Sequence, residues 1–377
     1  LFPFDKIKSK FYQINDINYK EEKEKKINWD IYYEEDSNYI KCRVDNEKQV
    51  NVFVQNTFSL TYKYAAGKIF QCSELFHANN YPIIIIEERN GGGDPKLAYL
   101  MIQLFQMRAV ERSYSALKYT DNIIKYYNIN DMYGKDTIYN PQTCKTINSF
   151  DDLGYTIDYY NYGDLNITHN RTNVFVELNT LNERKAFNEY RKKYEESQNL
   201  KRPTDIIVFT DAFSFSSGST FIKGLQNIGG AIIVGYYGDP KIEGTDLFDA
   251  SQSDSGVFPL ENSEISGQLK KLGFGLYLTN LEVFDDSYKN NNHIPREYTM
   301  IPVDYRVDIF SFYEDDLYET FINKGKEIHK EFNENKYCNH KNKKLLFHDE
   351  NNCKNFENLE HAHGGFKCGE NNKWTKN

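Results

Sequence analysis

The sequence predicts an α/β fold with a mainly parallel sheet, on two stretches far apart in the chain. In the first, the apolar run Tyr81-Pro82-Ile83-Ile84-Ile85-Ile86 suits a strand buried on both faces. It enters Asn90-Gly91-Gly92-Gly93-Asp94-Pro95, and Leu97, Leu100, Met101, Leu104 and Phe105 follow at helical spacing. In the second, Ile206-Ile207-Val208-Phe209-Thr210 leads into a loop of small residues from Asp211 to Ser219. Phe221, Ile222, Leu225 and Ile228 mark a helix, Gly229-Gly230 ends it, and Ala231-Ile232-Ile233-Val234-Gly235 is the next strand. Strand, loop and helix in that order twice over imply parallel strands joined by crossovers.

The other elements follow along the chain. Residues 1–64 form a β-rich N-terminal segment, with period-two stretches at Tyr39–Val44 and Val50–Val54. The charge run Lys20–Lys26 reads as a solvated face. A helix is expected over residues 68–78, from Ile69, Cys72, Leu75 and Phe76. Residues 65–310 make the core, interrupted at about 125–200 by a polar, Asn- and Tyr-rich surface insertion with a charged helix near Asn182–Gln198. Residues 311–377 hold an amphipathic helix over 315–332, with Leu317, Phe321, Ile322, Ile328 and Phe332, and a Cys/His-rich tail.

Composition narrows the function classes. The 377 residues are 39% hydrophobic and 15% aromatic, enough to bury a core. A net charge of −9 disfavours a general nucleic-acid binder. No run approaches the roughly 18 apolar residues of a membrane-spanning helix. The start, Leu1-Phe2-Pro3-Phe4-Asp5, has no Met and no signal-like segment, so residue 1 is not expected to be the first codon of the gene. Six cysteines (Cys42, Cys72, Cys144, Cys338, Cys353, Cys368) permit three bridges of open connectivity. With the sequons Asn166-Ile167-Thr168 and Asn170-Arg171-Thr172 they point to an oxidising, secreted or extracellular setting; the alternative is a cytosolic chain with free thiols. His340, His361 and His363 among the tail cysteines fit no standard zinc spacing, so bridges and exposed imidazoles are the reading there, and no cofactor is expected.

Open α/β sheets place function at the carboxyl ends of their strands, where both loops lie. Successive glycines let backbone N–H groups converge on an anion. A phosphate lacks its usual partners here, because neither Gly-Lys-Ser/Thr nor Gly-x-Gly-x-x-Gly is present. The oxyanion of a tetrahedral intermediate and a plain tight turn remain. The second loop, Ser214-Phe215-Ser216-Ser217-Gly218, can supply a nucleophile at a strand-to-helix turn or a helix cap.

Taken together, the two loops resemble those of the S41 family serine peptidases, which include the C-terminal processing (tail-specific) proteases, the tricorn core and the chlamydial protease-like activity factor. The resemblance covers roughly residues 65–310 apart from the insertion. The family's Asp-x-x-x-Asn-Gly-Gly-Gly is matched at Asn90–Gly93; Ile86 stands at the Asp position, with Glu87 the nearest carboxylate. The resemblance implies a ClpP/crotonase-like core and an endopeptidase acting on a peptide or protein substrate. Ser216 would be the nucleophile, with the N–H groups of Ser217 and Gly92 holding the oxyanion. The base divides the family. One branch uses a lysine about twenty-five residues on, where Lys241 stands. The other uses an upstream His oriented by a Glu, for which Glu297, before Ile301-Pro302-Val303-Asp304, is the match. His77, the one histidine before the glycine loop, reads as a helix-end or surface imidazole, so the second branch implies a His from an upstream segment of the same precursor. Two other classes stand beside this one: an inactive homologue that binds peptides or ligands, and a crotonase-like acyl-CoA enzyme that does not need Ser216.

Overall fold

Seven strands hydrogen-bond side by side in the order in which the chain visits them. They are β1 (Ile31–Glu35), β2 (Asn38–Asp45), β3 (Val50–Gln55), β4 (Ile83–Glu87), β5 (Ile206–Thr210), β6 (Ile232–Tyr236) and β7 (Tyr305–Val307). The computed structural model describes residues 27–107, 114–119, 128–129, 137–141, 143, 145–162, 165–177, 189–194, 199–211, 213–236, 249–254, 256–259, 264–275, 277–284, 294–309, 314–334, 366–368 and 374–376. β1, β2 and β3 pair antiparallel, whereas β3 through β7 are all parallel.

The isoleucine run needs no polar alternation because both faces of the sheet are covered. Ile83, Ile85 and Val208 join one core with three helices: α1 (Tyr62–His77), α2 (Pro95–Phe105) and α3 (Ser217–Ile228). Ile84, Ile86, Ile207 and Phe209 join the other core with α4 (Glu314–Glu334). Ring pairs link sheet to helix on both sides: Phe53 with Phe105 at 5.0 Å, and Phe209 with Phe321 at 4.9 Å. Each such buried side chain contributes about 1.5–3 kcal/mol of transfer free energy.

Local chemistry sets the helix ends. Asp94 caps α2, its Oδ1 accepting the Lys96 N–H at 2.9 Å, and Pro95 fills the first turn. Gly229 ends α3 in the left-handed conformation at φ 61°. α1 starts six residues before the expected helix, because in its first turns only Ala65 is fully buried, with Tyr62 and Ala66 packing partly buried against the core and leaving no clear apolar stripe. Cys42 of β2 is bridged to Cys72 of α1, with Cα atoms 6.1 Å apart. The pairing is set by β2 lying under α1, which spacing alone does not give.

The stretch read as a polar surface insertion is more structured than that. A hairpin pairs Tyr155–Tyr162 with Leu165–Thr172. A four-stranded sheet runs in the order Leu281–Phe284, Tyr114–Leu117, Phe175–Glu177, Ile138–Tyr139. Leu117, Ile129, Ile138, Ile147, Leu153 and Phe175 give it a small core. Beside it Arg171 and Glu282 form a fully buried ion pair at 3.6 Å. Of the charged helix near 182–198, residues 189–194 are helical and 199 onward is not; the remainder lies outside the described residues. Residues 1–26, Cys144, Cys338, His340, Cys353, His361 and His363 also lie outside them. Among the described residues no helix is long and apolar enough to cross a membrane.

Candidate active site

Because β4 and β5 are parallel neighbours, both leave the sheet at the same edge, and the loops that follow them meet. Three hydrogen bonds hold them together, and a fourth, within the serine loop, shares the Asp211 carboxylate. The Phe215 N–H donates to Asn90 O at 2.8 Å, and Ser217 Oγ donates to Gly93 O at 2.8 Å. The Asp211 carboxylate takes the Arg89 N–H on one oxygen and the Phe213 N–H on the other, both at 2.9 Å. Burial raises the pKa of Asp211, and these amides oppose the rise.

Glycine sets the distance between the loops. A Cβ on Gly92, at φ 94°, would lie 2.7 Å from both Phe215 O and Ser216 Cβ, and 3.0 Å from Ser217 N. On the other side, a Cβ on Gly93 would lie 2.1 Å from the Phe58 carbonyl carbon.

Ser216 occupies the N-cap position of α3 at φ 52°, ψ −121°. That conformation is costly for any residue with a Cβ. Its N–H donates to Ser253 O at 2.8 Å, its carbonyl accepts the Thr220 N–H, and its side chain makes no capping bond. The residue is half-buried, with its hydroxyl uncommitted to the helix. Capping, the ordinary task of a serine in this place, is therefore not what this one does.

The amides around it are unequal. The Gly92 N–H, the expected oxyanion donor, donates to Asn90 Oδ1 at 3.0 Å. The N–H groups of Ser217 and Gly93 donate to no protein acceptor among the described residues. Ser217 also begins α3, where the helix dipole favours negative charge.

Glu297 lies on a short 3-10 turn, Arg296–Tyr298, where its Oε2 accepts Ser253 Oγ at 3.1 Å. Since the Ser253 carbonyl holds the Ser216 N–H, Glu297 is one residue removed from the candidate nucleophile. Lys241 lies outside the described residues. His77 is at the end of α1 but is buried, not on the surface. Its Nε2–H donates to Leu104 O at 2.9 Å, and α1 precedes β4, at the end of the sheet away from the glycine loop.

The polar segment Asp249–Ser253, which the sequence offers only as a feature favouring the His branch, lies with Asp254 along the serine loop, a contact that sequence reasoning missed. Thr210 Oγ1 donates to Ala250 O, Gln252 N–H to Ser214 O, and Ser219 Oγ to Gln252 O. Beneath it are buried charges: Arg296 pairs with Asp254 at 2.7 Å, and Lys223 Nζ reaches Arg296 O at 3.5 Å. Burial pushes the Lys223 ammonium below the usual lysine range, with Asp249 opposing. A buried charge has no signature in one sequence; the one hint is Lys223 inside an otherwise apolar helix stretch.

A cleft of about 770 Å³ opens beside the glycine loop, lined by Thr57, Ser59, Arg89, Gly91, Gly92 and Asp211 among others. Phe213 stands exposed on the serine loop. Among the described residues no group of three His, Cys, Asp or Glu side chains is placed to hold a metal ion.

No protein-family model and no curated protein matches the sequence. Solved structures do. One is a candidate peptidase from Parabacteroides merdae, at 14% identity and TM-score 0.37, covering 76% of this chain and 64% of that one. Mature CPAF matches at 15% identity and TM-score 0.38, over 78% of this chain and 53% of that one. The photosystem II D1 C-terminal processing protease matches at 10% identity and TM-score 0.33, over 71% and 45%. This chain thus spans about half to two thirds of the length of those structures.

Proposed function

We propose that the chain is a serine endopeptidase of the S41 type, with Ser216 as its nucleophile. The observation that carries this reading is the Ser216 turn. A serine is held at a costly positive φ, free of capping, against a glycine that leaves no room for a side chain and next to an uncommitted helix-start amide. In the proposed reaction Ser216 Oγ attacks the scissile carbonyl carbon and its proton passes to a base. The oxyanion is met by the Ser217 N–H and by an amide of the Gly91–Gly93 loop. Gly92 serves if its N–H turns from Asn90; the Gly93 N–H is the uncommitted alternative. The tetrahedral species expels the amine, which takes up the proton, and water then hydrolyses the acyl-enzyme.

For the base, the Ser253–Glu297 bond supports the His branch, in which Glu297 orients an imidazole supplied by an upstream segment of the same precursor. Lys241 is the other candidate. A secreted or extracellular location is supported by the Cys42–Cys72 bridge and by Asn170, a sequon asparagine exposed on its strand.

A fluorophosphonate probe tests the assignment: one adduct on Ser216 is expected, absent in Ser216→Ala. An adduct elsewhere, or none in a folded chain that includes the upstream segment, defeats it. The second reading, a binding module on the same fold, has its own support. Among the described residues no histidine or lysine side chain hydrogen-bonds to Ser216. Peptide binding that survives Ser216→Ala, without labelling of the parent, would favour it.

A further inference from the structure

We propose that Glu87 is the positioning residue of the glycine loop, bracing Asn90 against β3 so that this loop keeps its place against the serine loop. The role rests on the hydrolase reading above. Glu87 is the last residue of β4 and is fully buried. Its Oε1 accepts Gln55 Nε2 at 2.6 Å from the neighbouring strand, in register with it. Its Oε2 accepts Asn90 Nδ2 at 2.7 Å. Asn90 then does three things for the site. Its Oδ1 takes the Gly92 N–H, its carbonyl takes the Phe215 N–H, and its backbone lies so close to Gly218 that a Cβ there would come within 2.8 Å of Asn90 O. One carboxyl group therefore fixes the residue that both loops lean on.

The carboxyl does this as a neutral acid. Desolvation by burial pushes its pKa from 4.5 up to about 8, against the two amide bonds. Asp211 at the end of β5 and Glu88 in the same loop add repulsion. Gln55 on β3 is neutral, and the Tyr236 hydroxyl on β6 donates to the Glu87 carbonyl rather than to its side chain. A neutral Glu87 can keep its bond to Gln55 by donating, since exchanging the two ends of that amide presents Oε1 to the Glu87 proton. Deprotonation would leave an uncompensated buried charge and loosen Asn90.

The sign of the linkage follows. Between pH 4.5 and about 8 the folded chain holds a proton that the unfolded chain has released. Stability from this group therefore declines as pH rises through that window and is level above it.

The test compares the full chain with Glu87→Gln, which keeps shape and cannot ionise, and with Glu87→Ala. Hydrogen exchange of the Gly92 and Phe215 amides, both held by Asn90 and corrected for intrinsic pH dependence, is the main readout. The parent should lose protection above about pH 8, by about tenfold per pH unit. Glu87→Gln should keep its protection, and Glu87→Ala should lack it throughout. The parent's melting temperature should also fall relative to Glu87→Gln between pH 5 and 8. Parallel behaviour of parent and Glu87→Gln, or full protection in Glu87→Ala, overturns the proposal. Should Glu87→Ala not fold, the Gln comparison alone decides. Fluorophosphonate labelling in the same samples separates the two claims. The expected exchange pattern with no labelling in any sample sinks the hydrolase and leaves the brace; labelling with an unchanged exchange pattern sinks the brace alone.

Discussion

The glycine loop and the serine loop are built on the same plan and solve it in opposite ways. Each leaves the carboxyl end of a parallel strand, turns through positive φ, and opens a helix. Where the loops touch, the first turns at residues without a Cβ, Gly92 and Gly93, and it then caps its helix through Asp94. The second turns at Ser216, a residue with a Cβ, and leaves its helix without a side-chain cap. Glycine would be easier at that φ, and a capping rotamer would stabilise α3. Keeping a serine that does neither costs about 1–3 kcal/mol of backbone strain, and an uncommitted hydroxyl is what the molecule has in return.

Substitutions can break that contrast. The largest effect is expected for Gly93→Ala, whose new methyl would sit 2.1 Å from the Phe58 backbone. The backbone cannot yield, so a loss above about 4 kcal/mol is expected, read as failure to fold or a collapsed denaturant midpoint. Gly92→Ala meets Phe215 O and Ser216 Cβ at 2.7 Å, on the reactive side. It should cost about 1–3 kcal/mol in urea unfolding and lower Ser216 labelling at least a hundredfold. Replacing Cys42 and Cys72 by serine opens a bridge across a separation of 30 residues. About 3–4 kcal/mol should be lost, with the labelling rate unchanged where the chain remains folded. The sharpest test is Ser216→Gly. Relieving the strained φ should raise stability by about 1 kcal/mol while labelling disappears, a division between stability and activity that a structural serine would not show. Arg89→Gly, at φ 48°, keeps the N–H that Asp211 accepts and should gain a few tenths of a kcal/mol in urea unfolding.

How far the sequence reached follows from what each feature depends on. Ile83–Ile86 and Ile206–Thr210 were legible as two-faced strands because burial on both sides leaves a composition signal. α4 was legible because its apolar stripe is long; it spans Glu314–Glu334 against an expected 315–332. Ser216 and the glycines could be singled out because their loops pair a spacing with a chemistry. The Ser253 carbonyl, the Arg296–Asp254 pair and Lys223 could not, since a charge beneath a loop is written like a charge on a surface. The small core of the insertion was hidden too, because its strands are short and polar residues separate the few that turn inward.

The β4–β5 pairing joins segments roughly 120 residues apart. During synthesis at about 5–20 residues per second, the first four strands and their bridge can assemble some ten seconds before their next neighbour leaves the ribosome. For that interval β4 is a bare margin of unmet amides and carbonyls between isoleucines, a surface prone to stick to any extended chain. Recruitment of a chaperone to the nascent polypeptide, or its aggregation when none is present, should therefore concentrate on that margin.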